Sequence, residues 1–151
     1  MEIWPFFNKC HIMKGKFHIA FATADIGRAK YFYREILGCE LGRESPAWVD
    51  FNFFGHQMSI HKVADKVRKL RNYDNPNNLI PANHFGIILS WADWHKMEEK
   101  LKSTRINFLV EPHVAFEGEI GEQKSMFIKD PDGNAIEFKT FEDPKNIFAT
   151  S

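Results

Sequence analysis

Two histidines and one glutamate are the residues of this sequence best placed to do chemistry. His18 lies in Lys16-Phe17-His18-Ile19-Ala20-Phe21, His84 in Asn83-His84-Phe85-Gly86-Ile87-Ile88, and Glu137 follows the turn Asp130-Pro131-Asp132-Gly133-Asn134. Each interrupts a short apolar run of β type, so each falls on the polar face of a strand whose other face is hydrophobic. Parity sets the directions. Phe17, Ile19 and Phe21 must cover a helix, which sends His18 to the open side; Phe85, Ile87 and Leu89 do the same for His84, and Ile136 and Phe138 for Glu137. Two imidazoles and one carboxylate with open positions beside them form the ligand set of a mononuclear divalent metal, Fe(II) first, with Mn(II), Ni(II), Co(II) or Zn(II) as alternatives.

An internal repeat supplies the elements that position these residues. After the His18 strand, Asp25 is an N-cap for a helix whose apolar residues Ile26, Ala29, Phe32, Tyr33, Ile36 and Leu37 recur at helical spacing until Gly38 closes it. Strand-like runs follow near Glu40 to Arg43, Ala47 to Phe53 and Gln57 to Lys62, with Ser45-Pro46 and Gly55-His56 as turns. From Asn83 the order returns: a strand through Leu89, a helix from about Ala92 to Ser103, and strands near Asn107 to Val110, Lys124 to Ile128 and Ala135 to Phe141. The fold class is therefore α+β, two βαβββ repeats that pack side by side and form a cup-shaped mixed sheet around a metal site. Residues 1–13 form an N-terminal arm and 14–151 one domain, with repeat one over about 14–63, a linker over 64–82 and repeat two over about 83–142. Val63 to Arg71 has the composition of a short basic helix, and Glu111 to Gln123, which holds Pro112, Gly118 and Gly121, is a long irregular stretch placed to cross a binding site.

Composition narrows the function class. A chain of 151 residues with 44% hydrophobic content, fifteen Phe and four Trp can bury a full core. Lys and Arg balance Asp and Glu at twenty each, so no basic field exists to attract nucleic acid and no polybasic stretch to hold a membrane; the expected partner is a small-molecule substrate. The opening Met1-Glu2-Ile3-Trp4-Pro5 lacks a basic leader region, and Cys10 and Cys39 read as unpaired thiols, which points to a cytoplasmic protein.

The set of motifs resembles the vicinal oxygen chelate superfamily, which contains glyoxalase I, methylmalonyl-CoA epimerase, extradiol ring-cleaving dioxygenases, and bleomycin and fosfomycin resistance proteins. The resemblance runs from about Lys14 to Glu142 and rests on His18, on Ala29-Lys30-Tyr31-Phe32-Tyr33 ending in Leu37-Gly38, on His84, and on Asp130-Pro131-Asp132-Gly133-Asn134 leading to Glu137. Asp50-Phe51-Asn52-Phe53-Phe54-Gly55-His56-Gln57 with His84-Phe85-Gly86 is most similar to the predicted extradiol-dioxygenase branch. The resemblance implies a metal that holds two neighbouring oxygens of a substrate and stabilises the anion developing there. It also implies an extradiol-dioxygenase-like enzyme, with a glyoxalase- or epimerase-type isomerase or lyase, or a non-catalytic drug-binding resistance protein, as alternatives. Glyoxalases usually carry a fourth ligand, Glu, on the last strand of repeat one, where laying Gly55 over Gly133 puts Ser59; ring-cleaving dioxygenases usually carry Tyr where this chain has Phe127.

Further candidates follow from strand parity. Gln57 and His61 share the open face with Ser59; the resemblance to the epimerases makes Gln57 a candidate fourth ligand, and its place on that face makes His61 a candidate acid or base near neutral pH. Trp48, Asp50 and Asn52 alternate with Val49, Phe51 and Phe53, and Trp48 and Asn52, with Phe127, are expected to line the substrate's wall. Lys124, Lys129 and Lys139 are placed to neutralise an anionic substrate. Either the two repeats of one chain close the cup, or those of a second chain complete it, and a homodimer is expected.

Overall fold

The computed structural model describes residues 15–64, 80, 81 and 83–149. The N-terminal arm and most of the stretch read as a basic helix and linker lie outside the described residues. The described chain runs β1 (His18–Thr23), α1 (Ile26–Lys30), β2 (Glu40–Ser45), β3 (Trp48–Phe53), β4 (His56–Lys62), β5 (Phe85–Ile88), α2 (Trp91–Ser103), β6 (Phe108–Ala115), β7 (Gln123–Lys129) and β8 (Ala135–Thr140), with a closing 3-10 turn at Pro144–Phe148. No helix among the described residues is long and apolar enough to cross a membrane.

The two repeats have one topology. Each makes a four-stranded mixed sheet, in the orders β1-β4-β3-β2 and β5-β8-β7-β6, with only the first and last strands parallel. The register confirms how the repeats superpose: Ala20, Ser59 and Asp50 stand side by side in the first sheet, as Gly86, Glu137 and Phe127 do in the second. Ser59 is thus the counterpart of Glu137. The structure departs from the expected single curved sheet, since β1 and β5 belong to separate sheets.

Two local readings are corrected. The first helix is α only to Lys30 and widens into a π-helical stretch at Tyr31–Ile36, where Leu37 N–H bonds the Phe32 carbonyl at 3.0 Å before Gly38, at φ +81°, ends it. Phe32 and Tyr33 both stay buried in the core through this stretch. The stretch expected to be irregular from Glu111 is strand as far as Ala115, because β6 is an edge strand and Pro112 there has no sheet partner to disappoint.

One continuous core joins the repeats. Val49, Phe51, Met58 and Ile60 of the first sheet, Met126, Ile128, Ile136 and Phe138 of the second, and Phe32, Tyr33, Trp94 and Leu101 of the helices are almost completely buried in a single cluster, each large side chain contributing about 1.5–3 kcal/mol. Phe85 stands 4.7 Å from Phe21 and 5.5 Å from Phe53 between ring centres, and Phe54 stands 5.9 Å from Phe138. Within one chain the sheets therefore meet through their apolar, helix-side residues. The polar face of each sheet is left on the opposite side.

Candidate metal centre

Glu137 is delivered by a tightly fixed turn. Asp130 Oδ1 accepts the backbone N–H groups of Asp132 and Asn134, at 3.0 and 2.8 Å, and its Oδ2 accepts the Asn134 amide and the Tyr33 hydroxyl, each at 2.8 Å. Gly133 takes φ +90°, which a side chain would resist. Tyr33 is buried, and that burial, with Asp130 adding to it, holds its hydroxyl well above the usual tyrosine range. The helix of repeat one thereby fixes the hairpin of repeat two. Arg28 adds a bond to the Pro131 carbonyl at 3.0 Å.

Beyond the turn, Ile136 and Phe138 enter the core and Glu137 points the other way, only 8% exposed. Ser125 on β7 donates to its Oε1 at 2.7 Å. Its Oε2 lies 3.2 Å from His84 Nε2 and 3.7 Å from Lys139 Nζ. His84 Nδ1 lies 2.8 Å from the Pro81 carbonyl, which can only accept, so that nitrogen carries the hydrogen. Nε2 and a carboxylate oxygen then face each other with nothing but a proton or a cation able to reconcile them. A histidine oriented through its far nitrogen by a backbone carbonyl, beside a carboxylate oriented by a hydroxyl, is how metal ligands are commonly held. The donor set fits a divalent metal. Phe127 closes this side, its ring edge-on to His84 at 5.2 Å, and Gly86 is obligatory beside it because a Cβ there would overlap the Glu137 backbone carbonyl.

His18 stands on the other sheet. It lines a hollow of about 520 Å³ with Lys16, Arg43, Asp50, Asn52 and Gln57, and its imidazole has no hydrogen-bond or ion-pair partner among the described residues. Among the described residues no three His, Cys, Asp or Glu side chains converge on one point. One chain brings His84 and Glu137 together and leaves His18 apart, on the polar face of the first sheet.

The remaining candidates divide between the two faces. Gln57 pairs with His18 across β1 and β4 and donates to Asp50 at 3.2 Å. Asn52 bonds Glu40 and the Gly55 N–H. Trp48 and His61 pair with each other further along the sheet, outside the lining of the hollow, and the Arg43 guanidinium lies 5.8 Å from the Trp48 ring. Lys139 reaches the Glu137 carboxylate, but Lys124 faces α2, 3.1 Å from His95 Nε2 and 4.8 Å from the Trp91 ring. It shares the parity of the core residues Met126 and Ile128, which the spacing already implied. His56, which the spacing puts in a turn, opens β4, accepts the Phe17 N–H at 3.0 Å and lines the hollow.

Comparison with known proteins bears on the fold and the family. Metallothiol transferase FosB of Staphylococcus haemolyticus is 26% identical over 129 residues, 85% of each chain. A crystal structure of a glyoxalase/bleomycin resistance protein/dioxygenase from Alicyclobacillus acidocaldarius superposes with TM-score 0.74 at 30% identity, covering 89% of this chain and 96% of that one. Lactoylglutathione lyase from Agrobacterium tumefaciens shares the fold, with TM-score 0.63 at 17% identity over 92% of this chain and 99% of its own. Residues 16–138 match the family model itself, and the chain belongs to the Glyoxalase/Bleomycin resistance protein/Dioxygenase superfamily.

Proposed function

We propose that the protein is a divalent-metal-dependent enzyme that binds two neighbouring oxygens of a small substrate, with His18, His84 and Glu137 as ligands. The observation that carries this reading is His84 Nε2 set 3.2 Å from Glu137 Oε2 while its Nδ1 is committed to Pro81. Because His18 stands on the other polar face, the reading takes a second copy of the chain to complete each site, His18 of one copy joining His84 and Glu137 of the other. A bound divalent metal supplies Lewis-acid polarisation of the substrate oxygens. The chain's own residues do the rest. Pro81 and Ser125 fix the two ligands of repeat two, Phe127 keeps water from the His84 face, and Lys139 lies ready for a developing negative charge. Gln57, Asn52 and the sheet-one hollow receive the part of the substrate remote from the metal, while His61 and Trp48 lie further along the sheet, outside its lining.

Group transfer onto a metal-held substrate is the reaction class we favour, supported by the FosB relative, whose name declares both a metal and a thiol. A second reading, extradiol-dioxygenase-like cleavage with Fe(II), is supported by the ligand set of two imidazoles and one carboxylate with positions left open. Mn(II), Ni(II), Co(II) or Zn(II) belong with transfer, lyase or isomerase chemistry. Reconstitution with each metal, followed by parallel measurement of thiol loss and dioxygen uptake over a panel of thiols with electrophiles, hemithioacetals and catechols, tests the assignment. Wild-type protein should bind one metal per chain and Glu137→Ala none. Full-affinity binding by the variant sinks the ligand set, while oxygen uptake without thiol loss selects the second reading.

A further inference from the structure

The first sheet holds a buried carboxylate of its own. Asp50 is only 6% exposed, and it lines the same hollow as His18. Ser59 Oγ donates to its Oδ1 at 2.6 Å, and Gln57 Nε2 and Arg43 donate to its Oδ2 at 3.2 and 3.3 Å. The arrangement repeats that of Glu137, whose Oε1 accepts Ser125 Oγ at 2.7 Å. In each repeat a serine on the neighbouring strand holds a buried carboxylate on the polar face. The difference is the strand: Glu137 is on β8, whereas Asp50 is on β3, opposite the Ser59 that occupies the Glu137 position.

Stability alone does not account for Asp50. Among the described residues its only cation is Arg43, whose side chain is 81% exposed, and such an exposed pair adds little stability, while burying the carboxylate carries a desolvation cost that an apolar residue would avoid. Placement in a hollow lined also by His18, whose imidazole has no partner among the described residues, favours a chemical use.

We propose that Asp50 is the proton acceptor of the site and that the substrate presents to it an ionisable hydroxyl adjacent to a second oxygen, as in a catechol, an enediol or an α-hydroxy carbonyl compound. The inference rests on the metal-centre reading above. In the step, the substrate O–H bond breaks, its electron pair stays on oxygen, and the proton passes to an Asp50 carboxylate oxygen, so the net charge of the site is unchanged. The charged groups around Asp50 are Arg43 from β2, His18 from β1 with Lys16 before it, His56 from β4, and Glu40 through Asn52.

The test uses the Zn(II)-reconstituted full-length protein and 4-nitrocatechol, whose visible spectrum reports its ionisation. Binding should shift the spectrum toward the dianion near neutral pH. Calorimetry in buffers of different ionisation enthalpy should show that Asp50→Asn, which cannot take the proton, releases about one proton more per site than wild type. A spectral shift with equal proton release in both overturns the role of Asp50. Zn(II) binding with no shift in wild type overturns the oxygen-chelate reading, and the Asp50 step with it. Should Asp50→Asn fail to fold, Ser59→Ala keeps the carboxylate and removes a hydrogen bond that weakens it as a base, so the dianion band should appear at lower pH than in wild type; an unmoved band overturns the proposal.

Discussion

His84 has one nitrogen committed to the Pro81 carbonyl, so what it offers Glu137 is decided by whatever positive species lies between them. Ser125 fixes the opposite carboxylate oxygen, and this gives the first prediction: Ser125→Ala leaves the three proposed ligands in place yet weakens metal affinity on the order of 10–100-fold, measured by equilibrium dialysis against a competing chelator. Unchanged affinity would show that the hydroxyl does not orient the ligand. A second prediction concerns Cys39, whose thiol is pushed up to about 12 from 9.0 by burial, against a smaller opposing pull from Lys100. The unfolded chain loses this proton first, so the stability it represents is fully present below pH 9 and is lost as pH rises toward 12, by about 1.4 kcal/mol per pH unit. Tyr33, also raised, adds loss in the same direction at higher pH. Urea midpoints should fall more steeply between about pH 9 and pH 11 in wild type than in Cys39→Ala, and parallel slopes would count against it. Of the residues discussed here, the position of His18, His84 and Glu137 away from the apolar faces was legible because each interrupts an apolar alternation. The Ser59 and Gln57 bonds to Asp50 were not, since they depend on a hairpin register that no single strand declares.

At the scale of elements, the closest approach in the site is between β5 and β8. Gly86 faces Glu137 across a parallel pair, and the backbone carbonyl of Glu137 occupies the space a Cβ would need. Gly86→Ala must therefore push β5 off β8 or tilt Glu137. The expected cost is about 1–3 kcal/mol, read as a drop in the denaturation midpoint, together with weakened metal binding; a variant with wild-type values in both would mean the strands separate freely. The strands themselves were readable from period-2 alternation and α2 as a helix from about Ala92, while its start one residue earlier is set by Ser90, which caps it by accepting the Asp93 N–H. The π-helical stretch was not, because side-chain spacing around Tyr31 to Ile36 suits an α-helix equally well and the wider turn is chosen by core packing. Pro112 misled for a similar reason. Its meaning depends on whether the strand is central or at an edge, which is a property of the sheet and not of the segment.

At the scale of the whole molecule, the repeat was legible but the way its halves meet was not. Phe21, Phe53, Phe85 and Phe138 had to be covered, and either the repeats of one chain or those of two could cover them. In the structure the chain covers them itself, along the helix-side seam, and His18 is left on a different polar face from His84 and Glu137. The two-chain reading of the site makes a prediction that a one-chain site cannot imitate. His18→Ala and Glu137→Ala homodimers each lose the metal, because every site lacks a ligand. Unfolded together and refolded, the two variants form mixed dimers in which one site has both defects and the other has neither, since in a two-fold pair each site draws His18 from one copy and Glu137 from its partner. Random pairing makes half of the dimers mixed, so metal binding should return to about one quarter of the wild-type level per chain. Dialysis of the refolded mixture against Zn(II), beside each variant refolded alone, measures it. Binding that stays at the level of the separate variants, with mixed dimers present by native mass spectrometry, would place all three ligands in one chain.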